Sequence, residues 1–530
     1  MPDIILATIN AKWIHPSLAL RLLKANLGSL EASCEILEFA LRQPLREKVE
    51  PILAARPRLL GLSVSIWNHK ATLELLEVLS KEWSGLESAE GAPQDKPQGK
   101  PIVVLGGPEI SWLTQEAEIF RYADYVIRGE GEEHFRALCC RIFSHESPDV
   151  SFTRDIAPDG VVSVEAIASA YHLYTDEDLQ KKLVYVEASR GCAYGCDFCQ
   201  ASVRKRASTR KQASISHDGV REFPLKPFLA EMEKLINRGA RTFKFLDRSF
   251  NLNIERAKTI MEFFLERLEA GKETRLTARN QPPLCAHFEM VPFRFPETLK
   301  SLIRRFPPGS LRLEVGIQTF NPQTAALIHR AGNSESEKLN NPAANKFSGE
   351  IETLEFLSRE TNAIIHADLI AGLPGEDYSS FGAGFDRLWQ ALSGTPSGFS
   401  GSPRERSFEI QLGILKCLPG TAIARQSEAH GIRYTPEPPY EVIETAALSA
   451  GELGRIKNFA RFWEIIVNRD PFPDLLPRFL PSARPVFDRF MLISDKLLEN
   501  FGRNWGIDRS ALRACLETII TSDDKTEQHE

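Results

Sequence analysis

Three closely spaced cysteines constrain this chain more than any other sequence feature. Cys192, Cys196 and Cys199 follow a short apolar run and have the spacing C-x3-C-x2-C. A loop this short cannot bury three apolar side chains, but it lets three sulfurs converge on one centre, and Gly191 and Gly195 give its backbone freedom. Thiolates are soft ligands that suit zinc or iron–sulfur clusters. The pattern therefore predicts a buried strand followed by a metal-binding loop.

The number of ligands distinguishes the two kinds of metal site. A structural zinc site needs a fourth Cys or His nearby, and none lies between residues 201 and 216. Three ligands on a four-iron cluster leave one iron open, and an open iron can bind and reduce a small molecule. A zinc knuckle and three unrelated thiols stay as alternatives.

The first 145 residues alternate short apolar strands with helical patterns. The strands are predicted at 4–8, 34–41, 59–66, 102–105 and 125–127, which is typical of a doubly wound, Rossmann-like parallel sheet. Ligands of such sheets bind beyond the carboxyl ends of the strands. The residues there combine small and polar side chains, as a cofactor pocket would, and the candidates are Ser63, Ser65, Gly106, Gly107, Glu109, Gly129, Glu130 and Gly131. Tight turns without a ligand are the alternative explanation of each glycine taken alone.

After the cysteines, strand and helix patterns alternate again. Together with the strand before the cysteines, strands at 242–246, 284–291, 311–317, 364–370 and 408–415 make six βα-type units. Six units are too few for a closed eight-stranded barrel, but parallel βα units curl the same way and carry their chemistry at the strand ends. Polar or small residues at those ends are candidates for binding cofactor and substrate: Asp247, Arg248, Glu289, Glu314, Gln318, Gly372 and Pro374.

The motif CAYGCDFC resembles the signature of the radical S-adenosylmethionine (SAM) superfamily, with Phe198 at the aromatic position before the third cysteine. In that superfamily three cysteines hold a 4Fe-4S cluster, the fourth iron binds SAM, and a partial six-stranded barrel surrounds the site. The resemblance implies that Cys192, Cys196 and Cys199 are the catalytic and metal-binding residues. It also implies that Phe198 and the polar residues at the strand ends bind the cofactor.

The N-terminal segments SVSIW, VVLGGPE and YVIRGEGEEHF are similar to the cobalamin-binding domain of cobalamin-dependent radical SAM proteins. The resemblance implies a corrin at the strand-end edge of the first sheet, beside the eight candidates named above. The D-x-H-x-x-G motif, whose His binds cobalt in many cobalamin proteins, is absent here and in many radical SAM relatives. His15 and His69 are predicted to be ordinary polar residues. No G-x-G-x-x-G opens a helix after the first strand, which argues against a dinucleotide site.

From about residue 446 onward, apolar residues recur at helical spacing. The whole order of segments resembles a family of cobalamin-binding radical SAM proteins that carry a C-terminal domain of unknown function. The predicted α/β architecture has a Rossmann-like cobalamin-binding domain at 1–145, a linker at 146–181, a partial (βα)6 radical SAM barrel at 182–430 and a helical domain at 431–530.

Composition sets broad limits on compartment and partners. Nine cysteines, an odd number with three of them clustered, argue against a disulfide scaffold and for a reducing compartment. No apolar run is long enough to span a bilayer, and the N-terminus lacks the features of a signal peptide. We therefore expect a cytoplasmic protein without a membrane partner. A net charge of −6 gives no general attraction to nucleic acid, so no such partner is expected.

The resemblance implies an enzyme that cleaves SAM reductively at the cluster to make a 5′-deoxyadenosyl radical. A flavodoxin- or ferredoxin-like protein would supply the electron, and a cobalamin-dependent step would methylate an unactivated carbon of the substrate. One alternative is a radical SAM enzyme without a corrin, whose N-terminal domain only docks substrate. The other is a non-enzymatic iron–sulfur redox or sensor protein, although an electron carrier usually saturates its cluster with four protein ligands.

Overall fold

The computed structural model describes residues 1–87, 100–143, 154–157, 162–202, 219–274, 283–330, 347–394, 407–480 and 485–527. Part of the predicted linker at 146–181 lies outside these residues. The chain divides into two compact units. The first unit contains residues 1–191, 204–246 and 437–439, and the second contains residues 192–203, 247–436 and 440–530.

The first unit is built on a six-stranded parallel sheet with the strand order β2-β1-β3-β4-β5-β6. Its strands are β1 Ile4–Asn10, β2 Cys34–Ala40, β3 Leu59–Ser63, β4 Ile102–Gly106, β5 Tyr125–Ile127 and β6 Asp155–Ile156. The sheet confirms the predicted Rossmann-like architecture. The sequence pattern does not predict β6, because two residues show no period.

Helices cover both faces of this sheet. Alternate residues of β1 belong to different apolar clusters: Ile5 packs with one side of the sheet, and Ile4 and Leu6 pack with the other. The helices are α1 Leu18–Ala25, α2 Leu45–Ala55, α3 His69–Glu87 and α4 Glu132–Phe143. Helix α1 begins after Ser17, whose side chain accepts a hydrogen bond from the amide of Leu20. Because both faces are buried, the strands are almost continuously apolar.

The strands that follow are β7 Val184–Val186, β8 Ser189–Arg190, β9 Arg221–Glu222, β10 Thr242–Phe245, β11 Cys285–Met290, β12 Leu311–Gln318, β13 Ile364–Ala371 and β14 Phe408–Ile414. Six of them form a second sheet with the order β14-β13-β12-β11-β10-β7. The ladders of β7 with β10 and of β11 through β14 are parallel. This confirms the predicted six-stranded barrel-like sheet. Strands β8 and β9 pair separately and antiparallel.

Helices alternate with the strands of the second sheet, as the sequence pattern predicts. They are α5 Asp176–Lys181, α6 Leu225–Asn237, α7 Ile254–Thr274, α8 Glu297–Ile303, α9 Pro322–Leu327, α10 Ser348–Glu360, α11 Tyr378–Ser393 and α12 Ala422–Arg425. Helix α9 begins with Pro322 behind a capping Asn321, whose side chain accepts from the amides of Gln323 and Thr324.

The C-terminal region is helical, as predicted, apart from a small hairpin. Its elements are β15 Arg433–Tyr434, β16 Val442–Glu444, α13 Ala450–Trp463, α14 Leu476–Phe479, α15 Val486–Phe501 and α16 Arg509–Glu527. A π-helical turn, Glu464–Asn468, follows α13 and places Asn468 against the edge strand β14. The Asn468 amide accepts from the backbone N–H of Ile410 at 3.3 Å and donates to its carbonyl at 2.9 Å. The side chain thus makes the two backbone hydrogen bonds of Ile410 that a further strand would make at this edge of the sheet. None of the described helices combines the length and apolar character that a bilayer crossing requires.

A glycine in α11 provides the space that the C-terminal helices need. A Cβ atom on Gly382 would lie 2.5 Å from a ring carbon of Phe487 in α15. We expect Gly382→Ala to destabilise the second unit by about 1–3 kcal/mol, because an added methyl group forces the packed ring to move. Thermal unfolding measures the effect as a lower melting temperature.

Gly454 in α13 supplies the matched control for this substitution. A Cβ atom there would meet nothing within 4 Å. Gly454→Ala should therefore raise stability by about 0.5–1 kcal/mol, since alanine loses less conformational freedom in a helix. Equal melting temperatures for the two variants would contradict the packing argument.

Candidate functional site

Cys196 and Cys199 share one backbone turn in the loop that follows β8. The amide of Cys199 donates to the carbonyl of Cys196 at 3.1 Å. The hydroxyl of Ser202 lies 2.7 Å from the carbonyl oxygens of both cysteines and donates to them. Ser202 is buried, Cys196 is buried, and Cys192 and Cys199 are half-buried. The turn therefore gives the last two cysteines a fixed backbone.

Asp197, inside the motif, anchors this turn to the rest of the second unit. Its amide donates to the carbonyl of Ile328, and its carbonyl accepts from the amide of Ile423. Its carboxylate lies 2.8 Å from Nδ1 of His329. The side chain is only 3% exposed. Sequence reasoning missed this role, because a residue between two cysteines carries no signal of long-range contacts.

Polar side chains from other segments approach the thiols. Cys192 Sγ lies 3.6 Å from the hydroxyl of Ser249, and Arg330 Nη1 donates to Cys196 Sγ at 3.8 Å. Burial raises the pKa of the Cys199 thiol, and the charge of Cys196 raises it further, whereas the charge of Arg248 lowers it. Arg330 and Arg248 therefore place positive charge beside the cysteine loop.

The loop supplies three thiols, which are soft donors suited to iron–sulfur clusters. Within the ranges that the structure describes, no group of three or more His, Cys, Asp or Glu side chains has an arrangement that could hold a metal ion. Three thiols in one loop match the donors of a cluster with one open iron.

The strand ends bring several of the predicted site residues together. Asp247 follows β10 and is buried, and the next residue, Arg248, is exposed with its guanidinium 3.8 Å from the carboxylate of Glu289. Glu289 in β11 lies directly opposite Glu314 in β12. Phe198, between the second and third cysteines, is half-buried. These positions leave a charged surface at one end of the sheet.

Gln318 ends β12 in a left-handed conformation with φ of 73°. Its side chain turns back so far that a Cβ atom on Gly316 would lie 2.5 Å from the Gln318 amide nitrogen. Arg330, which also reaches Cys196, donates to the carbonyl of Gly316. Because Gly316 has no side chain, both the Gln318 side chain and Arg330 can pack against its backbone.

The turn after β13 is more enclosed than its sequence indicates. Gly372 and Pro374 are both buried. Gly372 has φ of 87°, and a Cβ atom there would meet Val442 at 3.5 Å and Leu415 at 3.7 Å. Its bare α carbon therefore faces packed side chains of the protein.

Glu376, just after this turn, is a buried carboxylic acid. Its Oε1 accepts a 2.7 Å hydrogen bond from Thr319, and no described residue donates to its Oε2. Burial raises the pKa of Glu376 to about 7. The folded state therefore holds a proton that an unfolded chain releases near pH 4.5.

The raised pKa of Glu376 predicts a pH-dependent loss of stability. The contribution is fully present below about pH 4.5 and is lost as the pH rises to about 7, at a cost of about 3 kcal/mol. Glu376→Gln keeps the bond to Thr319 without the charge, so its stability relative to the wild type should increase over this range and stay constant above it. Thermal unfolding between pH 4.5 and 8.5 measures this difference. Glu444→Gln, at an exposed carboxylate with a lowered pKa, should show no such trend.

Two histidines lie on the face of the second sheet that also carries Glu289 and Glu314. His287 Nε2 lies 3.0 Å from the carboxylate of Glu314, and His366 Nδ1 lies 2.7 Å from the amide of Gln411. The two imidazole rings are 5.7 Å apart. Sequence reasoning missed them because it considered only strand ends. Polar residues at alternate positions inside β11 and β13, where a filled barrel carries apolar side chains, were the available signal.

At the carboxyl edge of the first sheet, the candidates after β3 and β4 lie side by side. Gly107 has φ of 107°, and a Cβ atom there would lie 2.5 Å from the carbonyl oxygen of Val64 and 3.1 Å from the hydroxyl of Ser63. The amide of Ser65 donates to the side chain of the fully buried Asn68 at 2.7 Å. Gly106 accepts through its carbonyl from the amide of Val64 at 2.8 Å.

The remaining candidates of this edge have protein partners. Glu109 is 2% exposed and its carboxylate lies 3.1 Å from Nδ1 of His69. The amide of Gly129 donates to the hydroxyl of Ser111 at 2.9 Å. A Cβ atom on Gly131 would meet Leu23 of α1 at 3.1 Å. The carboxylate of Glu130 accepts from Arg221.

Large exposed apolar side chains follow the first three strands of this sheet. They are Trp13 and Ile14 after β1, Leu41 after β2 and Trp67 after β3, with Trp67 52% exposed. Single exposed apolar residues are ordinary, but these four all follow strands at the same edge of one sheet. Sequence reasoning missed them because it searched this edge for small and polar residues.

Solved structures with a similar fold identify this architecture. The cobalamin-dependent SAM radical enzyme OxsB, solved with aqua-cobalamin and SAM bound, matches with a TM-score of 0.59 at 12% identity, covering 99% of this chain and 80% of OxsB. The radical SAM methyltransferase TsrM from Kitasatospora setae, solved with cobalamin and a [4Fe-4S] cluster, matches with a TM-score of 0.52 at 16% identity, covering 82% of this chain and 80% of TsrM.

The fold is that of cobalamin-dependent radical SAM enzymes. Residues 428–499 also match a family described as a protein of unknown function, DUF4080. That match confirms the predicted C-terminal domain of unknown function and covers β15 through most of α15. The comparison with curated proteins finds no match.

Proposed function

We propose that this chain is a cobalamin-dependent radical SAM enzyme. The observation that carries the proposal is the loop of Cys192, Cys196 and Cys199, fixed by Ser202 and Asp197 within this fold. A 4Fe-4S cluster bound there would supply the reducing electron that cleaves SAM and produces a 5′-deoxyadenosyl radical. The protein's own residues then hold the reactants and exclude water.

In this proposal the three thiolates bind the cluster. Arg330 and Arg248 supply positive charge beside the thiols, and charged groups at metal sites tune cluster properties. Further candidates for orienting SAM and the substrate come from the strand ends and the adjoining sheet face: Phe198, Asp247, Glu289, Glu314 and Gln318. The two histidines inside the sheet add hydrogen-bonding groups for a polar substrate.

A corrin is proposed at the carboxyl edge of the first sheet. Gly107 lets its segment pack directly against the backbone of Val64, which gives this edge a close-packed backbone surface, and Trp13 and Trp67 add exposed apolar surface. Both nearby histidines already have a protein partner that would compete with cobalt for the imidazole. His69 lies beside Glu109, and His15 lies 2.9 Å from the Tyr185 hydroxyl. A cobalt ion held here without a histidine from this chain is consistent with these contacts.

We propose methylation of an unactivated carbon as the reaction. Two enzymes with this fold support the general kind of reaction: TsrM is a radical SAM methyltransferase, and OxsB is a cobalamin-dependent SAM radical enzyme. The expected electron source is a flavodoxin- or ferredoxin-like protein of the cytoplasm. The polar sheet face around Glu314 and His366 favours a substrate with hydrogen-bonding groups.

The test is anaerobic purification from cells grown with and without cobalamin, followed by cluster reconstitution. We expect a corrin absorption band only after growth with cobalamin, and reductant-dependent release of 5′-deoxyadenosine detected by mass spectrometry. Release without a corrin would replace the proposal with a corrin-free radical SAM enzyme. A cluster that forms without any cleavage of SAM would indicate an electron carrier or sensor and would overturn the enzymatic proposal.

A further inference from the structure

The loop that contains all three cysteines is closed by a two-stranded neck. Strand β8 leads into the loop at Arg190, and strand β9 receives the chain at Arg221, after residues 191–220. The two strands pair antiparallel, with Arg190 directly opposite Arg221. Whatever fixes this pair therefore fixes the backbone two residues before Cys192. We call β8 and β9 together the neck.

The neck is crowded and carries charges of the same sign. The guanidinium groups of Arg190 and Arg221 lie on side chains that are 9% and 7% exposed. Like charges directly opposite each other in a ladder repel, and burial makes the repulsion stronger. Beyond Arg190, Gly191 has φ of 96°, and a side chain there would overlap the carbonyl of Gly219. The two strands cannot move apart or slide without losing this fit.

Glu130 connects the two arginines. Its carboxylate accepts from both Nη atoms of Arg221, with one distance of 3.0 Å, and lies 3.7 Å from Nη1 of Arg190. The Glu130 side chain is 8% exposed. Arg190 is further paired with Glu132 at 2.6 Å and with Glu187 at 2.9 Å. Burial lowers the pKa of Arg190, but the charges of Glu187 and Glu132 outweigh it and keep the pKa above its usual value.

Glu130 contacts both sides of the neck. Glu132 and Glu187 pair with Arg190, whereas Glu130 lies against both Arg190 and Arg221. It comes from the segment between β5 and α4, which is far from the neck in sequence. Removing its charge would leave two buried arginines facing each other with weaker compensation, and a buried charge without its partner is strongly destabilising.

We propose that Glu130 is a positioning residue that locks the neck of the cysteine loop. The inference rests on the proposed function only for the statement that this loop holds a cluster. It also gives the GEGE segment a role beyond the predicted cofactor pocket. The carboxylate of Glu130 faces the arginines, so cofactor binding at this segment would depend on the backbone of Gly129 and Gly131.

Hydrogen–deuterium exchange on the full-length protein without metal tests the lock. Glu130→Gln should accelerate exchange of peptides covering residues 187–192 and 219–223 by about tenfold or more, while β1 and β3 keep their protection. Asp155→Asn is the matched control, because Asp155 is a carboxylate of the same unit that pairs with a different arginine, Arg128. It should leave exchange of the neck unchanged.

A second variant separates the lock from general loss of structure. If the unpaired charge of Arg221 is what opens the neck, Glu130→Gln combined with Arg221→Met should exchange more slowly at the neck than Glu130→Gln alone. Unchanged exchange in Glu130→Gln, equal acceleration in β1 and β3, or no recovery in the double variant would each overturn the proposal.

Cluster content distinguishes this inference from the proposed function. After anaerobic reconstitution, the wild type should retain its iron against a chelator at least about tenfold longer than Glu130→Gln, in line with the looser neck. If the wild type never acquires a cluster but the exchange results hold, the proposed function fails and the lock stands. Equal iron retention in the two proteins with changed exchange would overturn the positioning role.

Discussion

Replacing Cys196 with alanine should lower the iron content of the reconstituted protein from about four atoms per chain to near background. The protein offers the cluster three thiolates in one loop, so losing one leaves two ligands from this chain. The release of 5′-deoxyadenosine should fall below detection at the same time. Iron and sulfide analysis, the electron paramagnetic resonance spectrum of the reduced protein and mass spectrometry provide three independent measurements.

The same result is expected for Cys192→Ala and Cys199→Ala, because each thiolate binds a different iron. Two other cysteines are suitable controls. Cys285 is buried and its thiol has a pKa raised by burial, whereas Cys140 is exposed. Alanine at either position should leave iron content and SAM cleavage unchanged. A Cys196→Ala protein that retains a full cluster and releases 5′-deoxyadenosine would exclude the cysteine loop as the metal site.

The cysteine loop could be predicted because its chemistry requires a fixed local spacing. The parallel strands of both sheets could be predicted for a related reason: buried strands such as β1 and β12 leave apolar runs of characteristic length. These signals are local, and each is complete within about ten residues of sequence. The order of the strands is seen only in the structure, because the rules on connections between parallel strands restrict the possible orders without selecting one.

The partners of the site could not be predicted, because they are distant in the sequence. Arg221 and Glu130 are 91 residues apart, and His329 and Asp197 are 132 residues apart. An arginine, a carboxylate or a serine in a helix or loop has the same local pattern whether it faces solvent or a buried partner. Glu130 shows the same limit. Its position after a strand predicted a contact with a cofactor, whereas its carboxylate contacts buried arginines of the protein.

Gly107→Ala should weaken corrin binding at the edge of the first sheet. A side chain there would need φ of 107° and would lie 2.5 Å from the carbonyl of Val64, which already accepts from the amide of Glu109. The backbone of both segments must shift, and that backbone forms the proposed corrin surface. We expect corrin affinity to fall by about five- to a hundredfold and the melting temperature to decrease, since a strained backbone costs on the order of 1–3 kcal/mol.

Trp67→Ala separates the ligand contact from the fold. The indole is 52% exposed, so its removal should leave the melting temperature unchanged. If a corrin covers it, the lost apolar contact weakens binding by about 1.5–3 kcal/mol, or about ten- to a hundredfold. Titration of anaerobic protein with hydroxocobalamin, followed by absorbance, measures this affinity. Trp505 is also exposed, at 64%, and lies in the C-terminal region of the chain, so Trp505→Ala should bind as tightly as the wild type. Equal affinity of Trp67→Ala and Trp505→Ala would place the corrin away from this edge.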